Sequence, residues 1–110
     1  MRFFPSETGQ ERRQQWPAVD IVRTIDGWLL RFELAGVRLE DVNLQLGRRD
    51  IVLSGVRRDH MLEQGCSFYS MEITYSRFER TVQLPTDLSG ARFNLEYRDG
   101  ILLVRITEAA

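Results

Sequence analysis

At 110 residues, with 43% apolar and 28% charged side chains, the chain has the size of one globular domain that buries roughly 65% of its unfolded surface without a cofactor or disulfide. Its formal net charge is -1 and its basic residues, all arginine, are spread rather than clustered, which leaves no electrostatic footprint for nucleic acid. The longest apolar runs are far too short to cross a bilayer, so no membrane partner is expected.

Residues 1–16 read as a short N-terminal arm. Phe3 and Phe4 are followed by a polar run from Glu7 to Gln15 and then by Trp16. The arm is either a frayed terminus or a segment in which Phe3, Phe4 and Trp16 contact a partner. It lacks the continuous apolar core of a secretory signal, and the single cysteine, Cys66, has no internal partner for a disulfide. Both features suit the cytoplasm.

Beyond Pro17 the apolar period is two. Val19 to Ile25 alternates, Asp26-Gly27 turns the chain, and Trp28, Leu30, Phe32 and Leu34 return on one face, which predicts a hairpin. After the polar connection Arg38 to Asp41, Val42, Leu44 and Leu46 mark a half-buried strand. Gly47 to Asp50 turns into the next strand, Ile51 to Arg57. About 20 residues then separate Arg57 from the strand near Phe78, and connections that long are uncommon unless they work. Inside this one Tyr69, Met71, Ile73 and Tyr75 alternate with Ser70, Glu72, Thr74 and Ser76. A strand there needs a sheet edge to pair with, and the edge of a second chain is one available answer.

Phe78, Arg80, Val82 and Leu84 share one face of the following strand. Arg80 is a charge on an apolar face. It calls either for an acidic or main-chain partner or for a path that carries its head to water. Pro85 to Gly90 is turn-rich. Phe93, Leu95 and Tyr97 then alternate as an edge strand, Asp99-Gly100 makes a tight turn, and the wholly apolar Ile101 to Val104 predicts an interior strand covered on both faces. Seven or eight short strands with evenly spaced turn signals and no long helix make an all-β sandwich.

The residues argue against an enzyme. His60 and Cys66 are the only His and Cys, so a zinc site would lack nitrogen and sulfur ligands and a thiol nucleophile would lack an orienting group. Glu40-Asp41 reads as a solvated turn, and no Gly-rich phosphate loop is present.

In order and spacing the motifs resemble the α-crystallin domain of the small heat-shock proteins. They are Pro17-Ala18-Val19-Asp20-Ile21, Phe32 to Val37 with Glu40-Asp41-Val42, Ile51 to Arg57, Phe78-Glu79-Arg80 with Leu84-Pro85, and Gly100-Ile101-Leu102-Leu103-Val104. The resemblance implies an immunoglobulin-like antiparallel sandwich over residues 17–107. It also implies an ATP-independent holdase, needing no cofactor, that binds partly unfolded clients as a homodimer or an assembly of dimers. Ser67 to Ile73 would insert beside Val19 to Ile25 of a second chain. The interface would then hold Val19, Ile21, Arg23, Phe68, Tyr69, Met71 and Ile73, with Arg80 at the family's dimer-linked arginine position. Val42, Leu44, Leu46, Phe93 and Leu95 would line a groove for an extended segment. Four departures stand out: Ala35 in place of proline, Ser76 in place of glycine, Leu95 in place of alanine, and a stub at 108–110 in place of an Ile-x-Ile tail. The competing reading is a non-holdase interaction module like the sandwich domains of co-chaperones.

Overall fold

The computed structural model describes residues 16–59 and 63–110. Phe3, Phe4 and His60 lie outside the described residues. The described residues form seven strands: β1 (Val19–Arg23), β2 (Gly27–Glu33), β3 (Val42–Leu46), β4 (Asp50–Val56), β5 (Arg77–Gln83), β6 (Arg92–Arg98) and β7 (Ile101–Thr107), with a 3-10 turn at Leu39–Asp41. They make two antiparallel sheets, β1-β2-β7-β6 and β3-β4-β5. Among the described residues no helix is long and apolar enough to cross a membrane.

Alternation builds the core. The β2–β7 register sets Trp28, Leu30 and Phe32 opposite Ile106, Val104 and Leu102, and in the smaller sheet Leu53 stands opposite Leu44 and Arg80. Leu30, Phe32, Ile51, Leu53, Val104 and Ile106 are fully buried, each contributing about 1.5–3 kcal/mol of apolar burial. The layers close on this one cluster, joined by Leu34, Val37, Phe78, Val82, Leu84 and Leu88.

Asp99 and Gly100 both have positive φ, 55° and 79°, so the expected tight turn forms and joins β6 to β7. β7 is an interior strand and β6 an edge, as expected. The covering of β7 is uneven, however: Leu102, Val104 and Ile106 are buried, whereas Ile101 and Leu103 on the outer face are half-buried.

One local expectation is corrected. Gly27 is not a turn residue. It opens β2, and a side chain there would collide with the Ile106 carbonyl of β7. The turn is Thr24 to Asp26, closed by Thr24 N–H donating to Gly27 O at 2.9 Å, and it leaves Ile25 fully exposed. The alternating segment Tyr69 to Tyr75 forms no strand within the single chain. Period two supplies the facial pattern, but a strand also needs a backbone partner, and this segment pairs with none of the seven strands.

Candidate functional site

Three surfaces carry the exposed apolar side chains that sequence alone singled out. The first is a groove where β3 of one sheet faces β6 of the other. Its lining is Leu39, Val42, Leu44, Leu95, Glu96, Tyr97 and Leu102, and its volume is about 350 Å³. Leu95 points inward, opposite Val104, yet stays 53% exposed in this groove. Three of the five expected residues, Val42, Leu44 and Leu95, meet here. Phe93 packs against the core outside this lining, and Leu46, at the far end of β3, is exposed outside it as well.

Leu39, Tyr97 and Leu102 were not expected in the groove. Leu39 comes from the aperiodic 3-10 turn and Leu102 from the core face of β7. Tyr97 also fixes one wall. Its hydroxyl lies 2.8 Å from Leu34 O and 2.9 Å from Val37 O, so its single proton ties β6 to the chain leaving β2. Burial pushes the Tyr97 phenol above its ordinary range.

The second surface is the open edge of β1. Val19 and Ile21 face inward opposite Phe32 and Leu30, but Ile21 is 46% exposed. Ion pairs bracket the strand. Arg31 Nη2 donates to Asp20 Oδ2 at 2.7 Å, and Arg23 grips Glu108 at 2.8 and 3.4 Å while lying over the Trp28 ring, 4.6 Å from its centroid. The Arg23 guanidinium holds the Glu108 carboxyl below its ordinary value. Residues 108–110, expected to be a bare stub, therefore include a contact that fastens β1.

The third surface is the long connection. Phe68, Tyr69, Met71 and Ile73 are all exposed, Tyr69 fully so. Its root is held at Arg57, whose N–H donates to Ser76 O at 3.0 Å and whose Nε donates to Thr74 O at 2.8 Å.

Arg80 sits on the inner face of β5, and its partner is main chain: Nη1 donates to Pro17 O at 2.8 Å. Its Nε is buried without a hydrogen-bond partner among the described residues. Trp16, expected in the N-terminal arm, is half-buried against Phe78, edge to face with centroids 4.8 Å apart.

A larger hollow of about 570 Å³ lies over Asn43, Ser54 and Glu79 on the outer face of the smaller sheet. Its lining is polar, and Arg58 Nε pairs there with Asp41 at 3.2 Å. Among the described residues no group of three or more His, Cys, Asp or Glu is placed to hold a metal, and Cys66 is a free, exposed thiol.

The sequence pattern of the Hsp20/alpha crystallin family matches residues 20–110. Small heat shock protein C2 of Rickettsia felis is 25% identical over 103 residues, spanning 94% of this chain. The chain covers only 66% of that relative's length, and 55% and 53% of two further curated relatives. A solved small heat-shock protein from Xylella fastidiosa, described as having a distinct high order structure, superposes with a TM-score of 0.70 at 25% identity, over 88% of this chain and 89% of that one. Heat shock protein 16.0 from Schizosaccharomyces pombe gives a TM-score of 0.73 at 23% identity, over 84% and 86% of the two chains, a likeness of fold.

Proposed function

Because the chain belongs to the Hsp20/alpha crystallin family, we propose that it is a chaperone that holds partly unfolded proteins without ATP, working as a strand-exchanged dimer or an assembly of such dimers. The observation that carries this reading is the contrast between a fully buried core and large apolar side chains left exposed on the groove, the β1 edge and the long connection. Exposed apolar surface of this kind binds other chains. A groove between two strand edges suits an extended segment whose side chains enter and whose backbone runs alongside. An open β1 edge and an unpaired, alternating segment 67–73 are complementary needs that a second copy of the chain meets. The bond from Arg80 to Pro17 O, just before β1, supports a role for Arg80 in bracing that edge. A cytoplasmic site of action agrees with the single free cysteine.

The test is light scattering from a heat-aggregating client in the absence of ATP. Suppression near equimolar ratio is the expected result, and no suppression would favour a co-chaperone-like interaction module. Dimer exchange is tested separately. Tyr69→Pro removes a backbone donor from the segment and should sediment as a monomer, whereas an unchanged dimer would remove the exchange. A labelled Ile-x-Ile peptide should bind saturably to the groove and lose affinity in Leu44→Ser.

A further inference from the structure

Arg57 is where the chain leaves β4 for the long connection, and its guanidinium touches three other segments at once. Nε donates to Thr74 O at 2.8 Å on the returning limb, and Nη1 donates to Ala35 O at 3.3 Å in the link between β2 and β3. The same plane lies over the Trp16 ring, 4.6 Å from its centroid, and 5.9 Å from that of Tyr75. Trp16 is held in turn against Phe78, the second residue of β5. Only an arginine can do this, because a planar guanidinium donates from its rim while stacking through its faces, and an ammonium has no face. The neighbouring Arg58 turns elsewhere, to Asp41.

We infer that Arg57 is a positioning residue for the exchange segment: it sets the direction in which 67–73 leaves the domain and, through Trp16, ties that direction to the point where the N-terminal arm joins the fold. The use of the segment rests on the strand exchange proposed above. The clamp itself lies within one chain. Thr74 is one residue beyond Ile73, so an angular error at the clamp passes directly into the strand that must reach a partner. Releasing the clamp leaves the segment's apolar side chains in place but lets it sample many directions, which lowers the population competent to pair. Trp16 then acts on dimerisation through Arg57.

Two measurements test the proposal. The first is the dimer dissociation constant from sedimentation of the full chain. Arg57→Met is expected to weaken the dimer by roughly tenfold or more, since two charge-assisted hydrogen bonds and the stacking are lost together. Arg57→Lys should fall between Met and the parent, and Trp16→Leu should weaken the dimer less than Arg57→Met. The second is the side-chain NMR signal of Arg57 Nε–H in the Tyr69→Pro chain. It should be slow to exchange with water and shifted by the Trp16 ring, and Trp16→Leu should abolish that shift. A dimer unchanged in Arg57→Met, full activity of lysine at this position, or an Arg57 signal that exchanges like free arginine would each overturn the clamp. So would a fall in the melting temperature of the Tyr69→Pro chain on adding Arg57→Met large enough to account for the weaker dimer. A Tyr69→Pro chain that stays dimeric removes strand exchange alone, and the Arg57 signal still decides the clamp.

Discussion

β1 and β6 are the two outer strands of the same sheet, and each turns alternate side chains toward the second layer. The smaller sheet covers neither strand completely, so each keeps one inward apolar residue in the open, Ile21 on β1 and Leu95 on β6. Their surroundings differ. Beside Leu95, β3 stands across a gap and makes a walled slot with Tyr97, which is bonded to the chain leaving β2. Ile21 lies open on the outer edge of the sheet, and the strand is stiffened by ion pairs at Asp20 and Arg23. A slot accepts side chains, whereas a bare stiff edge accepts a backbone. Four strands facing three thus yield two kinds of binding surface from one alternating pattern.

Four changes break or sharpen this contrast. Phe32→Ala empties the core beneath both edges and is expected to cost about 3–5 kcal/mol, lowering the denaturant midpoint and abolishing both activities. Tyr97→Phe removes one hydroxyl proton from the groove wall and should cost about 1 kcal/mol in denaturation. Peptide binding should weaken while dimerisation holds. Leu95→Ser and Ile21→Ser remove exposed side chains, so each should change stability by no more than about 0.5 kcal/mol. Their effects should cross, with Leu95→Ser reducing groove binding in a peptide titration and Ile21→Ser reducing dimerisation in sedimentation. If both variants lost the same activity, the distinction between slot and edge would fail.

The smallest effect is one of pH. The Arg23 guanidinium depresses the Glu108 carboxyl from its ordinary 4.5, so the pair's contribution is present above that value and disappears as pH falls through the lower value of the folded state. Asp87 is held down more strongly, first by the Ser89 hydroxyl and N–H and then by Arg48, and its contribution has the same sign. Glu108→Gln should therefore melt slightly below the parent at neutral pH, and the two melting curves should converge as acid protonates the parent. A gap that persists unchanged in acid would mean that the pair does not fasten β1.

The strands were legible because period two is written in side-chain identity. The Asp99-Gly100 turn was legible because its backbone conformation restricts residue choice. The cost of a charge on an apolar face left Arg80 open between an acidic partner, a main-chain partner and a path to water, and only the fold selects the Pro17 carbonyl. What escaped depends on backbone atoms or on aperiodic positions. Arg57 reaches the carbonyls of Thr74 and Ala35, and any residue supplies a carbonyl, so nothing in the sequence announces the clamp. Gly27 carries the same letter whether it turns or is squeezed, and only the register with Ile106 separates the two. The segment 67–73 shows a strand's pattern without a strand's partner. Sequence periodicity reports which faces are apolar and is silent on what pairs with the backbone.

The pairing of β2 with β7 has a consequence for how the protein is made. These strands come from opposite ends of the domain, and Leu30 meets Val104 only once the chain has been made through β7. Contacts of such separation carry the full entropy of loop closure and form late and slowly. During synthesis the β1–β2 hairpin emerges before the other described strands and holds out Leu30 and Phe32 without their β7 partners until that strand leaves the ribosome.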